Sequence, residues 1–206
     1  MTNGINSKST SRKMVYRGLL AVTLLAAITP AFSQSNGKPA TIDATAMGTS
    51  TQLGANVSVK VIINRFSTDE DRQVLVTAFK QGQSPGLVKA LSKMDPVGRI
   101  AITGTLGYDL AYIRLIRTPT GRRIRFATNR LIRFGEAYAN TQSTAFDLTA
   151  GEFDLNDADK DKSTGVLFPA SQLVINKNGE LQFELRKNPW KLVNIIDWNK
   201  AGMEAK

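Results

Sequence analysis

Two absences limit the residues that can do chemistry in this chain: none of its 206 residues is His or Cys. A Ser-His-Asp triad, a Cys nucleophile, a disulfide and a zinc site built on nitrogen or sulfur are therefore excluded. Carboxylates, Lys, Arg, Ser, Thr and Tyr remain. Glu136, Asp147, Glu152 and Asp154 are acids of the kind that glycoside hydrolysis needs in pairs across one bond. Ser92 beside Lys93, and Ser163 beside Lys162, are the Ser/Lys combinations. No spacing draws either set into one cleft. A carboxylate-dependent hydrolase of envelope or extracellular glycans is thus the alternative reading, and a non-catalytic role the leading one. There is no Gly-rich phosphate loop: Gly104 and Gly107 flank a turn before Tyr108-Asp109.

The densest chemistry is basic. Arg114, Arg117, Arg122, Arg123, Arg125, Arg130 and Arg133 fall within twenty residues, and no acid lies between Asp109 and Glu136. A hairpin over 110–127, turning at Thr118-Pro119-Thr120-Gly121, sets Arg117 against Arg122, Leu115 against Ile124 and Ile113 against Phe126. One face is then apolar, as register selection demands. The other carries Tyr112, Arg114, Ile116, Arg123 and Arg125, with Arg114 directly opposite Arg125. Like charges so placed destabilise unless something negative covers them. Asp147, Glu152 and Asp154 alternate with apolar residues and are the internal candidates, since Arg pairs with carboxylates in a two-point fork. The external candidate is an anionic ligand, a cell-envelope polymer or acidic glycan, bound by Arg114, Arg123 and Arg125 with Tyr112 stacking on a ring. Nucleic acid fits poorly, because no nucleic-acid motif accompanies the charge.

Asp157, Asp159 and Asp161 are spaced two apart, like the opening of a calcium-binding EF-hand loop. Position six would be Lys162 instead of Gly, and position twelve Phe168 instead of Glu. Lys160 and Lys162 would repel a cation. The segment reads as a solvated loop closing a hairpin into Val166–Phe168, with Ca²⁺ as the only cofactor to consider.

The elements that must position these residues are mostly strands. Val57, Val59, Val61 and Ile63 alternate with polar residues, the period of a half-buried strand. Ser67-Thr68-Asp69-Glu70 reads as a capping box. Val74, Leu75, Ala78 and Phe79 form a helical stripe that Gly82 ends. Ser84-Pro85 restarts a second helix striped by Leu87, Val88, Leu91 and Met94 and stopped by Asp95-Pro96. From Arg99 onward the pattern is β. A three-residue Lys177-Asn178-Gly179 turn pairs Ile175 with Leu181 and Leu173 with Phe183. Trp190, Leu192, Ile196 and Trp198 are expected on one side of a last strand. The fold class is α+β and β-rich: an antiparallel sheet or sandwich with one inserted αα-hairpin at about 68–94.

The first 33 residues read as an export signal. Lys8, Arg12, Lys13 and Arg17 precede an apolar run from Leu19 to Phe32, shorter than the roughly 20 residues a membrane span needs. Ala31-Phe32-Ser33 places small residues where a cut between Ser33 and Gln34 requires them. Met14 is an alternative start. Cleavage removes four positive charges and takes the net charge from +10 to +6. The expected organisation is a signal peptide at 1–33, a flexible lead at 34–55 with a short strand at 41–46, one β-rich domain at 56–200 and a tail at 201–206. The expected location is the periplasm or the extracellular space, with no membrane span after signal removal.

Arg65-Phe66-Ser67-Thr68-Asp69-Glu70, Lys89-Ala90-Leu91 through Val97-Gly98, Gly107-Tyr108-Asp109-Leu110, Gly121-Arg122-Arg123-Ile124 and Ala127-Thr128-Asn129-Arg130 occur in an order and spacing that resemble a group of small exported bacterial proteins without an assigned activity. The likeness spans roughly residues 57–198. It implies export and a single domain, and it carries no catalytic or ligand residues. That group would have a Gly-containing loop after the acids near Asp154, whereas here no Gly occurs until Gly165. The sequence thus points to an exported binding or structural module of the cell envelope.

Overall fold

The computed structural model describes residues 39–49, 55–103, 105–130, 148–175, 181–185 and 188–201, with backbone alone at 175 and 181–185. Among the described residues ten strands carry the fold: β1 (Ala40–Met47), β2 (Asn56–Ile63), β3 (Gly98–Ile102), β4 (Tyr108–Leu110), β5 (Tyr112–Thr118), β6 (Gly121–Thr128), β7 (Leu148–Asn156), β8 (Thr164–Ile175), β9 (Leu181–Leu185) and β10 (Trp190–Asp197). Every recorded pairing is antiparallel. The order is β4-β3-β2-β1-β10-β8-β7-β6-β5, with β9 attached to β8. The fold is therefore the expected β-rich α+β class.

The two edge strands of that order are consecutive in the chain. β4 and β5 are separated by Ala111 alone, so the sheet curls until its edges nearly meet. Ser67 ties the seam. Its N–H donates to the Ile113 carbonyl at 2.7 Å, and its Oγ accepts from the Ile113 N–H at 3.1 Å. These bonds occupy main-chain groups that an open edge would leave unpaired.

The segment 34–55, read as a flexible lead, contains β1. This strand runs one residue beyond the expected 41–46 at each end and lies between β2 and β10. Ladders on both sides and the burial of Ile42, Ala44 and Ala46 hold it there. Those three join Val59, Val61, Ile100, Ile113, Ile124, Phe126, Phe153, Leu167 and Leu192 in one continuous core inside the curled sheet. The rings of Phe126 and Phe153 lie 5.6 Å apart between centroids.

Helical structure runs from Asp69 to Leu91 (α1) and is broken at Gly82 and Gln83, the latter at φ 52°. The break falls at the expected stop and restart, but no loop separates the halves. Ser84 is buried there, and its Oγ accepts from the Leu173 N–H at 3.1 Å. The capping box is shifted by one residue from the expected Ser67/Glu70. Thr68 is the N-cap and Asp71 its reciprocal partner, because Ser67 is committed to the seam. Glu70 stands in the first turn. Its carboxyl is held below the usual range by a hydrogen bond from its own backbone N–H, then by one from Thr68. Leu75, Phe79, Leu87 and Leu91 pack outside the sheet with Ala111 and Leu148.

The last strand departs from its expected pattern. Trp190 and Leu192 are buried, but Ile196 and Trp198 face outward, 47% and 62% exposed. A β-bulge explains the reversal. The β1 partners Asp43 and Thr45 are two apart, whereas their β10 partners Ile196 and Val193 are three apart. Asn194 takes the extra step at φ 50°. One inserted residue inverts the in–out order for everything after it.

Candidate functional site

The Arg hairpin has the register read from its sequence: Arg117 opposite Arg122, Leu115 opposite Ile124, Arg114 opposite Arg125 and Ile113 opposite Phe126. Pairing extends to Thr118–Gly121, so only Pro119 and Thr120 are unpaired at the turn. On the far side β7 sets Asp154 against Arg123 and Glu152 against Arg125. Arg123 Nη2 donates to Asp154 Oδ2 at 2.6 Å, and its Nε lies 3.3 Å from Glu152 Oε1. Arg125 Nε donates to Glu152 Oε2 at 2.5 Å. The bond to Asp154, then the charges of Glu152 and Asp154, raise the Arg123 pKa further above its already high ordinary value. Arg114 finds its carboxylate on α1, where Asp69 Oδ1 is 3.3 Å from Nη2.

Three guanidinium groups thus meet three carboxylates across neighbouring elements. Alternation of acidic and apolar residues in β7 was the signal for two of those partners. Asp69 had no such signal, because its approach depends on where the helix lies. Tyr112, expected to stack on a ligand, is half-buried and packs against the helix cluster. Arg130 is exposed just beyond β6, and Arg133 lies outside the described residues, as do Glu136, Asp147, Ser33 and Gln34.

Arg122 does something different. It shares its parity with Ile124 and Phe126 and so points inward at one end of the curled sheet, 4% exposed. Its Nε donates to Asp157 Oδ1 at 2.8 Å and its Nη1 to Asp197 Oδ2 at 3.0 Å. Nη1 also donates to the Ala201 carbonyl. Asp197 Oδ1 in turn accepts from the Ala201 N–H at 2.9 Å. A buried guanidinium needs this level of satisfaction. The alternation that put Ile124 inside already implied the position of Arg122.

The three acids spaced like the opening of a calcium loop each have their own surroundings. Asp157 belongs to Arg122. Asp159 caps a short 3-10 turn at Lys160–Lys162 by accepting from the Asp161 N–H at 3.1 Å, and its other oxygen is 3.1 Å from Lys162 Nζ. Asp161 is exposed. Among the described residues no three acids are grouped as a cation would need. The segment closes the β7–β8 hairpin, with Asp154 opposite Thr164.

Two recesses lie at this end. One, of about 610 Å³ and open to solvent, is lined by Arg117, Pro119, Thr120, Asn156, Asp159 and Lys162 among others. The other, of about 60 Å³, lies against Arg122, Asp197 and Lys200. Ser163 lines the smaller recess and Lys162 the larger. Ser163 Oγ accepts from the Asn156 N–H, and Lys162 faces Asp159. Ser92 Oγ donates to the Lys89 carbonyl at an exposed helix end. Compared with family models, curated proteins and solved structures, the chain matches none.

Proposed function

We propose that this protein is an exported, non-catalytic module of the cell envelope that binds through the outside of its curled sheet. The observation that carries this reading is the filled interior. Phe126, Phe153, Ile42, Ile100, Leu110, Ile113, Ile124, Leu167 and Leu192 are each less than 2% exposed and occupy the space where a small barrel would otherwise hold a ligand. Arg122 and its two carboxylates cover one end of it. Contacts with a partner therefore fall to outward-facing side chains.

The hydrolase alternative has less support. Of Glu136, Asp147, Glu152 and Asp154, the two that lie among the described residues, Glu152 and Asp154, stand on an outer sheet face bonded to Arg123 and Arg125. Neither acid lines either of the two recesses described above. An anionic ligand on the Arg face would compete with carboxylates already in place. Export rests on the Lys8–Arg17 basic segment and the apolar run that follows it.

The test is co-sedimentation of the full chain with insoluble envelope polysaccharide, with released reducing ends assayed in the same tubes. Retention without release is expected. Release of reducing ends would establish the hydrolase reading, and no retention would remove the binding role.

A further inference from the structure

The bulge at Asn194 has a consequence on the outer face. A non-glycine residue at positive φ is strained, although Asn bears it better than most. The inversion it produces places Ile196 and Trp198 in solvent. Asp43 faces Ile196 on β1, and Lys60 faces Asp43 on β2. The outer surface therefore carries a row Lys60–Asp43–Ile196 across three strands, with Trp198 two residues beyond Ile196. The indole is fixed in place. Its Nε1 donates to Asp43 Oδ2 at 2.7 Å, and its backbone N–H donates to the Thr41 carbonyl at 3.0 Å. A large aromatic ring is held at the surface with its donor already used, which leaves the π face as its remaining means of recognition.

We propose that Trp198, with Ile196 beside it and Lys60 at the end of the same row, is a binding platform for an acidic saccharide. This rests on the outer-surface reading above and names its ligand class. The face of an indole is negative and attracts the weakly positive C–H groups on the flat side of a pyranose ring. Lys60 supplies the polar end. Its Nζ is 3.8 Å from Asp43 Oδ1, beyond hydrogen-bond distance, and its side chain is 52% exposed. Asp43 thus steers the ammonium without taking up its donors, which can serve a sugar carboxylate. The apolar surface here is two side chains wide, far from the roughly 800 Å² per partner of a stable protein interface. A single stacked ring with a cation at its side matches a sugar acid instead.

The chain contains two Trp, and Trp190 is buried, so acrylamide quenching of emission reads Trp198. The full chain is titrated with oligogalacturonate and, separately, with neutral dextran oligomers. Oligogalacturonate is expected to protect the emission from quenching, with protection weakening as salt rises. Dextran is expected to protect less. Calorimetry on Trp198→Ala should show a loss of about tenfold or more in affinity. Lys60→Ala keeps the indole as its own reporter and should lose most of the preference for the acidic chain. Equal affinity of wild type and Trp198→Ala would overturn the platform while leaving outer-surface binding in place. Equal protection by dextran, or none by oligogalacturonate, would overturn the ligand class.

Discussion

Arg122 and Asp197 are 75 residues apart in the chain and meet at 3.0 Å inside one end of the curled sheet. Their contact joins the β5–β6 hairpin to the end of β10, and the Asp157 carboxylate adds the β7–β8 turn. Arg122→Ala leaves two shielded carboxylates without their cation, so urea unfolding should show a loss of about 3–5 kcal/mol. Arg122→Met combined with Asp157→Asn and Asp197→Asn should recover part of it, because removing both partners costs less than stranding one.

The paired Arg face predicts a gain on removing acids. Glu152→Gln with Asp154→Asn frees Arg123 and Arg125, so the double variant should elute from heparin at higher salt than wild type. Unchanged elution would mean that these guanidinium groups are not neutralised by their neighbours. The pairs are partly exposed and screened by solvent, so a double-mutant cycle on Arg123 and Asp154 should give only a small coupling that shrinks further as salt rises.

Gly151 leaves the space that Phe126 fills. A Cβ there would lie within 3 Å of three atoms of the Phe126 ring, which is 2% exposed and walled in by the core. Gly151→Ala should cost about 1–3 kcal/mol in chemical denaturation, as overpacked cores do.

Asn194 sits where a β-branched residue is strained. Asn194→Val should lower stability by about 1–2 kcal/mol, and Asn194→Gly should be close to neutral. Should Val be tolerated without loss, the bulge is not what turns Trp198 outward.

The lowered pKa of Glu70 gives a sign for pH. A carboxyl whose pKa is lower folded than unfolded adds stability above the unfolded value, and that stability is lost as pH falls through the folded value. Protection of the first-turn amides of α1 against hydrogen exchange should therefore drop at acid pH. In Glu70→Gln this part of the pH dependence should vanish.

Much of the fold was legible because it depends on pairs of neighbouring residues. The register of β5 with β6 followed from one apolar face, and that of β8 with β9, Ile175 opposite Leu181, from the same argument. The turn at Lys177–Gly179 lies outside the described residues. What escaped depends on more distant geometry. No local pattern says that the edges of the sheet come close on either side of Ala111, or that Asp69 reaches Arg114. Ile196 and Trp198 keep an unbroken alternation in sequence, so the inversion by Asn194 is invisible until pairing with β1 is seen. The inward course of Arg122 was readable from parity alone, and its charge concealed it.

Hydroxyl-radical footprinting of the full chain, with and without solubilised acidic envelope polysaccharide, tests the outer-surface account most directly. Protection is predicted at the outward side chains Met47, Ile196 and Trp198, while Trp190, Phe126 and Phe153 stay unmodified in both states. Protection confined to the recess around Pro119 and Asp159, or altered labelling of those three core rings, would contradict it.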